Sequence, residues 1–197
     1  MRTDYQKIKV AIFASGNGSN AENIVRYFSE HEDVEIDSIF TNKENAFVIN
    51  RAKKLNTPCF YYSNPVFSTG DQLLKNLINR EIDFIVLAGF LIKIPLIIIE
   101  VFPNKILNIH PALLPKYGGK GMYGSKVHEA VKDANDTETG ITIHFVNKNY
   151  DEGATVFQAN CRVEPSDSAD DIAQKVHLLE YEHFPVIIEK TIASIFT

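Results

Sequence analysis

The stretch of this chain with the clearest capacity for chemistry is residues 107–115, in which an apolar run contains Asn108 and His110 and then meets a proline. The two polar residues are two positions apart, so in an extended strand their side chains project from the same face. Pro111 keeps His110 out of the helical backbone region, which puts the pair at the end of a strand. Ligands collect at the carboxyl ends of strands in open parallel sheets. The pattern indicates an amide donor and an imidazole acting together, or an incidental pair at the exit of a buried strand.

A second stretch has the residue types that hold a phosphate. Residues 9–14 are an apolar run typical of a buried strand, and a Ser-Gly-Asn-Gly-Ser-Asn turn and a helical pattern follow. Glycines let the backbone approach an anion, and the N–H groups of the first helical turn face it. Ser19 and Asn20 are residue types that cap a helix N-terminus. We therefore expect Gly18, Ser19 and Asn20 to bind a phosphate.

The same turn also fits the G-x-G-x-x-A fingerprint of dinucleotide-binding folds through Gly16, Gly18 and Ala21. That site needs an acidic residue at the end of the second strand to hold the ribose hydroxyls. The predicted second strand, residues 36–41, is followed by Asn-Lys instead. A monophosphate is therefore favoured over a dinucleotide. A glycine turn that only lets the helix pack on the strand is the remaining alternative.

Strands and helices alternate along the first half of the chain. Helical periods over residues 46–55 and 71–79 precede a buried strand at residues 83–88. This alternation indicates a right-handed, mostly parallel α/β sheet. The loop after residue 88 carries Leu91 and Ile94, whose side chains would pack on a flat heterocycle or simply seal the sheet edge.

The second half of the chain begins with a glycine-rich segment. Residues 118–124 contain four glycines in seven positions and predict a mobile lid beside the candidate site. Residues 139–147 alternate apolar and polar side chains, which predicts a strand with one solvated face. A histidine in such a strand, here His144, has a structural role more often than a direct one.

The last third of the chain adds a turn and a long helix. Asp151 lies in an Asp-x-Gly turn, where aspartate is often only a turn former. Residues 167–194 predict a helical tract that is interrupted at Pro185.

The bulk properties fit one globular domain over residues 1–197. Hydrophobic residues make up 45% of the chain and charged residues 23%, which are ordinary values for a globular protein. The net charge of −5 argues against broad nucleic-acid binding. Cys59 and Cys161 have no metal-binding spacing, and the chain contains no membrane-length apolar run and no signal-peptide core. We therefore expect a cytoplasmic protein that binds no metal, nucleic acid or membrane.

Five motifs, in this order, resemble the phosphoribosylglycinamide formyltransferase family. They are residues 13–20, 86–90, 108–115, 140–144 and 150–153. The Asn-x-His-Pro-x-Leu-Leu-Pro motif alone would fit any formyltransferase or hydrolase that uses 10-formyltetrahydrofolate, and the phosphate loop and short length narrow the resemblance. It covers nearly the whole chain and implies a single-domain formyltransferase fold: a Rossmann-like, mostly parallel twisted sheet with helices on both faces and antiparallel strands near the C-terminus.

The resemblance also implies roles for particular residues. Three match the family's catalytic trio: Asn108, His110 and Asp151. Four match substrate-binding positions, the first three for the phosphate and the last for the glycinamide substrate: Gly18, Ser19, Asn20 and Glu180. Seven match folate-binding positions: Leu91, Ile92, Lys93, Ile94, Asn108, Asn147 and Asp151. The chain departs from the family at residues 67–70, which offer no folate-proximal arginine, and in its glycine-rich segment.

The implied reaction moves a formyl group from 10-formyltetrahydrofolate to the amine of 5-phosphoribosylglycinamide, without a metal. Asn108 would stabilise the oxyanion by about 3 kcal/mol, as amide donors do elsewhere. His110 would be the general acid, with Asp151 supporting its imidazolium and relaying protons. Three rivals remain: a formyltetrahydrofolate hydrolase with the same trio, a nucleotide-binding oxidoreductase, and a non-catalytic phosphosugar-binding module. We expect a monomer or a homodimer.

Overall fold

The computed structural model describes residues 6–196, which separate into two compact units. The first unit comprises residues 6–106 and 192–196, and the second comprises residues 107–191. The strands are β1 (Ile8–Phe13), β2 (Val34–Thr41), β3 (Cys59–Tyr61), β4 (Phe84–Leu87), β5 (Ile106–His110), β6 (Glu138–Phe145) and β7 (Thr155–Arg162). The helices are α1 (Ser19–Tyr27), α2 (Val48–Lys54), α3 (Asn64–Thr69), α4 (Asp71–Asn79), α5 (Leu96–Val101), α6 (Ser125–Asp133) and α7 (Ala169–Phe196).

In the first unit the strands are parallel and follow the order β3-β2-β1-β4. The central strand β1 is apolar and fully buried from Val10 to Phe13, and all of β4 is buried as well. Continuous apolar runs of this kind are typical of parallel strands whose two faces are both covered. The predicted parallel α/β arrangement of the first half of the chain is therefore confirmed.

In the second unit β5, β6 and β7 pair antiparallel in that order. The register sets Asn108 opposite His144 and His110 opposite Thr142. The predicted antiparallel strands near the C-terminus are confirmed, but the predicted solvated face of β6 is wrong, since its residues from Thr139 to His144 are all buried. Two of the buried polar side chains on this strand, Thr142 and His144, have hydrogen-bond partners inside the unit, which offsets the cost of burying them.

Helix α7 runs without a break through Pro185, so the predicted interruption is wrong. A proline inside a helix removes one backbone hydrogen bond and costs about 3 kcal/mol. Phe184, Ile187 and Ile188 flank the proline and are each at most 9% exposed. Burying such side chains contributes about 1.5–3 kcal/mol each, which is enough to hold the helix together across the proline. Among the helices of residues 6–196, none is long and apolar enough to cross a membrane.

Candidate active site

The chemistry-bearing pair of the sequence lies at the carboxyl end of β5. His110 is the last residue of the strand and is 4% exposed, and Asn108, two positions earlier, is half-buried. The strand residues next to this pair, Leu107 and Ile109, are apolar and buried in the core. The strand therefore presents two polar side chains in a largely dehydrated setting.

A backbone carbonyl determines the tautomer of His110. Its Nε2 lies 2.8 Å from the carbonyl oxygen of Tyr117, and a carbonyl only accepts, so Nε2 carries a hydrogen. The other ring nitrogen, Nδ1, lies 3.7 Å from Oδ2 of Asp151, within ion-pair distance. Nδ1 is therefore the ring nitrogen that lacks a hydrogen in neutral His110, and it faces Asp151.

His144 is held by a backbone carbonyl in the same way. Its Nδ1 donates to the carbonyl of Phe145 at 2.9 Å, which leaves Nε2 as an acceptor for the amide of Asn108, 3.0 Å away. Burial is the main cause that lowers the pKa of His144, which favours this neutral form. The side-chain NH₂ of Asn108 must then face His144, so the imidazole fixes the orientation of the amide.

The carboxylate of Asp151 joins the two histidines. Oδ2 lies 3.7 Å from Nδ1 of His110, and Oδ1 lies 3.7 Å from Nε2 of His144. The N–H of Gly119 donates to Oδ2 at 2.9 Å and holds that oxygen in place. The Asp151 side chain is 14% exposed, so its charge is little screened by water. The structure thus brings Asn108, His110 and Asp151 together in the second unit, with His144 as a fourth member.

The turn that carries Asp151 is held by side-chain hydrogen bonds within the turn and by the close packing of Gly153 against a neighbouring carbonyl. Asn147 donates to the carbonyl of Glu152 at 3.1 Å and accepts from the N–H of Asn149 at 2.8 Å. A Cβ at Gly153 would lie 1.6 Å from the carbonyl oxygen of Phe145, so only glycine fits there. Asp151 itself has a φ of 54°, a left-handed conformation that aspartate tolerates better than most residues. These constraints place its carboxylate against the histidines.

Thr142 secures the segment that follows His110. Its hydroxyl donates to the carbonyl of Ala112 at 2.7 Å and accepts from the N–H of Leu114 at 2.9 Å. Gln158 donates to the same hydroxyl at 2.8 Å. The sequence predicts no role for Thr142 or Tyr117, predicts Gly119 only as part of the glycine-rich lid, and favours a structural role for His144 over a direct one. Knowledge of the β5–β6 register would have revealed two of them, because the partners of Asn108 and His110 are His144 and Thr142.

In the first unit, Gly18 begins the helix that the phosphate-loop motif predicted. It is the N-cap of α1 with φ 75°, and a Cβ there would lie 2.3 Å from Cγ2 of Val48. Ser19 and Asn20 are therefore the first helical residues and not the cap, which corrects the capping role expected for them. Glycine takes the cap because only it combines this backbone conformation with so close a neighbour. The first-turn N–H groups, which have no partner four residues earlier in the helix, point out of its N-terminus.

Arg51 of α2 braces this loop. Its Nε donates to the carbonyl of Asn17 at 2.9 Å, and one terminal nitrogen donates to Oδ1 of the same residue at 2.6 Å. The other terminal nitrogen pairs with the Glu22 carboxylate on α1. Hydrogen bonds from Arg26 and Arg51 lower the pKa of Glu22, and the one from Arg26 is the larger cause. The contact of Arg51 with this loop cannot be predicted from the sequence, because nothing local relates Arg51 to a turn more than thirty residues earlier.

The predicted folate loop, also in the first unit, is tied to the end of β1. The N–H of Leu91 donates to the hydroxyl of Ser15 at 3.0 Å, and this hydroxyl donates to Oδ1 of Asn42 at 2.6 Å. Leu91 is 36% exposed, whereas Ile94 is 3% exposed and already packed within the protein. Ile92 is half-buried and Lys93 exposed. Of the two side chains predicted to pack on a heterocycle, Leu91 is thus the exposed one and Ile94 the buried one.

Glu180 lies on α7 in the second unit and is 5% exposed. Nδ1 of His177, one turn earlier, donates to its Oε2 at 2.7 Å, and this bond is the main cause that raises the pKa of His177. The buried ring of His128 packs 6.5 Å from the His177 ring, and burial, followed by the neighbouring His177, lowers the pKa of His128. Within residues 6–196 no group of three or more metal-ligating side chains is arranged to hold a metal ion.

Comparisons with known proteins are consistent with this geometry. A family model described as formyl transferase matches residues 8–188. The chain is 33% identical to phosphoribosylglycinamide formyltransferase of Bacillus subtilis over 187 residues, which cover 92% of this chain and 93% of that protein. It is 38% identical to the chloroplastic phosphoribosylglycinamide formyltransferase of Arabidopsis thaliana, covering 89% of this chain but only 61% of the plant protein.

A solved structure agrees with these sequence relatives. The crystal structure of glycinamide ribonucleotide transformylase 1 from Geobacillus kaustophilus superposes with a TM-score of 0.85 at 29% sequence identity. The match covers 93% of this chain and 97% of that one. The predicted formyltransferase fold is therefore confirmed.

Proposed function

This chain belongs to the phosphoribosylglycinamide formyltransferase family, and from that premise we propose that it transfers a formyl group from 10-formyltetrahydrofolate to the amine of 5-phosphoribosylglycinamide. A C–N bond forms between the substrate amine and the formyl carbon. The bond between that carbon and N10 of the folate breaks. The proton released by the amine ends on N10, so the transfer is redox-neutral and needs no oxidant or reductant.

One observation carries the proposal: a carboxylate lies between two histidines whose tautomers are set by backbone carbonyls. The Nδ1 of His110, the ring nitrogen that is not bonded to the Tyr117 carbonyl, faces Asp151, and there a proton taken from the amine passes to the leaving nitrogen. General acid–base catalysis of this kind contributes about 10²–10⁴-fold. A non-catalytic phosphosugar-binding module has no need of such an arrangement.

Asn108 is proposed to stabilise the oxyanion that forms when the amine attacks. One of its amide hydrogens is taken by Nε2 of His144, which leaves the second hydrogen as the donor to the developing charge. An amide donor of this kind contributes about 3 kcal/mol. Because His144 prevents the amide from rotating, the donor is oriented before the substrate arrives.

The binding roles of the remaining residues are proposed with the same reaction. Gly18, Ser19 and Asn20 would hold the substrate phosphate through first-turn N–H groups, and Glu180 would bind the glycinamide portion. Seven residues would contact the folate, Ile94 through its backbone because its side chain is already buried: Leu91, Ile92, Lys93, Ile94, Asn108, Asn147 and Asp151. A single domain over residues 1–197, a cytoplasmic location and a monomeric or homodimeric state all stay predictions.

The decisive experiment follows tetrahydrofolate formation by absorbance, with 10-formyltetrahydrofolate present and the ribonucleotide present or absent. We expect product only when the ribonucleotide is added, in a one-to-one ratio with formylated ribonucleotide. A formyltetrahydrofolate hydrolase would instead release formate and tetrahydrofolate at the same rate in both reactions. A binding module would form no product in either. A lack of NAD(P) binding by calorimetry would exclude the oxidoreductase.

A further inference from the structure

Lys116 and Tyr117, on the segment that follows the His-Pro motif, both contact the side chain of Asp136. The hydroxyl of Tyr117 donates to Oδ2 of Asp136 at 2.9 Å, and Nζ of Lys116 lies 3.1 and 3.2 Å from the two Asp136 oxygens. Asp136 itself belongs to the connection between α6 and β6. We call Lys116, Tyr117 and Asp136 the acidic brace.

The backbone next to the acidic brace is hydrogen-bonded to the side chains of both His110 and Asp151. The carbonyl of Tyr117 accepts from Nε2 of His110 at 2.8 Å, and the N–H of Gly119 donates to Oδ2 of Asp151 at 2.9 Å. Only Gly118 separates these two groups along the chain. A shift of this short segment would therefore alter the contacts of His110 and Asp151 together.

The segment needs an external anchor because its local conformation is unfavourable. Tyr117 has a φ of 55°, a left-handed conformation that costs a non-glycine residue about 1 kcal/mol or more. Three glycines and a lysine follow it within four residues, and glycine-rich backbone loses the most entropy on ordering. Two contacts to a fixed carboxylate offset that cost. Of the two, the bond from the half-buried Tyr117 hydroxyl is the stronger, because Lys116 is 67% exposed and its ion pair is screened.

We infer that Asp136 is a positioning residue for formyl transfer: through Tyr117 it holds the backbone that sets the tautomer of His110 and the orientation of Asp151. The inference rests on the proposed function. Asp136 touches neither catalytic side chain, so it acts only through Tyr117 and Gly119. Without the brace the Tyr117 carbonyl moves away from Nε2, and the ring proton of neutral His110 redistributes between its two nitrogens.

The test replaces Asp136 by alanine and, more conservatively, Tyr117 by phenylalanine, which removes only the hydroxyl. We expect kcat to fall about 10-fold or more in each variant, as misplacement of catalytic groups does. The KM for the ribonucleotide should stay within about twofold, because the brace lies outside the proposed substrate contacts. The double variant should lose little more than Asp136→Ala alone, because the two residues act as a unit. Asp136→Asn should retain part of the activity, since its amide oxygen still accepts from Tyr117.

The matched control is Asp133→Ala, which removes an exposed carboxylate three residues earlier and should leave kcat unchanged. A second readout is the ring ¹⁵N spectrum of His110 at a pH where the ring is neutral. We expect a single Nε2–H tautomer in the parent protein and a tautomer mixture in Tyr117→Phe. Unchanged kcat and an unchanged spectrum in Tyr117→Phe and Asp136→Ala would overturn the inference. If the parent protein transfers no formyl group but the spectrum changes as expected, the proposed function is wrong, whereas the effect of Asp136 and Tyr117 on the His110 tautomer is confirmed.

Discussion

The side-chain amide of Asn108 donates to Nε2 of His144 across the β5–β6 pair at 3.0 Å, and the same imidazole donates to the Phe145 carbonyl from Nδ1. A neutral histidine has one donor and one acceptor nitrogen, so this pair of contacts is consistent only with the amide NH₂ facing the ring. His144 therefore fixes the orientation of the Asn108 amide and determines which of its two hydrogens faces away from the ring.

Replacing His144 by phenylalanine removes this orientation while keeping a ring of similar size. We expect kcat to fall about 10-fold or more, and less than the roughly 10²–10³-fold loss from Asn108→Ala, because the donor survives but rotates. The KM for the ribonucleotide should change little. Steady-state kinetics at saturating folate measures both. His144→Gln, whose amide oxygen also accepts, is the rescue variant, and a His144→Phe enzyme with the parent kcat would contradict the role.

His144 also predicts how stability depends on pH. Burial lowers its pKa in the folded chain, so as the pH falls below about 6.5 the unfolded chain takes up the proton first. The contribution of His144 to the free energy of unfolding should therefore decrease on acidification below about pH 6.5 and be fully present above it. Urea unfolding at pH 8, 6.5 and 5.5 measures the slope. His128, whose pKa is also lowered, adds to this slope, and His177, whose pKa is raised, opposes it, so the test compares the two proteins. His144→Gln should lose less stability on acidification than the parent; an identical slope would refute the assignment.

His110 and Asp151 should behave as one catalytic unit. Asp151→Asn keeps the shape of the turn but removes the negative charge 3.7 Å from Nδ1 of His110, and we expect a loss of about 10² or more in kcat. His110→Ala should lose a similar factor, and the double variant should lose less than the product of the two. The unfolding midpoint of Asp151→Asn should stay close to that of the parent. Multiplicative losses in the double variant would argue for two independent groups.

Gly18 should matter for the ribonucleotide and not for the folate. Gly18→Val places a side chain against Val48 and strains the left-handed N-cap of α1, so the first-turn N–H groups move. We expect the KM for the ribonucleotide to rise about 10-fold or more and the KM for the folate to stay within about twofold. Gly16→Ala is the matched control, because a Cβ there meets nothing within 4 Å and the mutation should have a much smaller effect. Equal rises in both KM values would contradict the assignment of residues 18–20 to phosphate binding.

Glu180→Gln removes the carboxylate proposed to bind the glycinamide portion and leaves a side chain of the same size. Ribonucleotide affinity measured by calorimetry should fall about 10-fold, while folate affinity stays nearly constant. The pKa of His177, raised mainly by its hydrogen bond to Glu180, should drop in this variant and can be followed by NMR titration. A lower His177 pKa with unchanged ribonucleotide affinity would leave Glu180 a purely structural partner.

Local patterns were enough to predict the framework of the candidate site. The i, i+2 spacing of Asn108 and His110 and the proline after them are short-range features, and they predicted a polar pair at a strand end. The strand–glycine–helix pattern likewise predicted a helix N-terminus after Gly18. The helix did form there, although the cap is Gly18 itself, because the contact with Val48 that selects glycine is not visible in the sequence. The unbroken course of α7 through Pro185 also depended on burial that no local rule describes.

The tertiary structure determined which side chains face Asn108 and His110. His144 is 36 residues from Asn108, and Asp151 is 41 residues from His110, so only the antiparallel register and the turn at Gly153 bring them together. The amino-acid sequence by itself determined that an amide and an imidazole stand together at the end of a strand, because spacing and proline act over a few residues. The ring tautomers depend on carbonyls placed by the fold, at Tyr117 and Phe145, because a carbonyl can only accept a hydrogen bond and so determines which nitrogen of each histidine carries the proton.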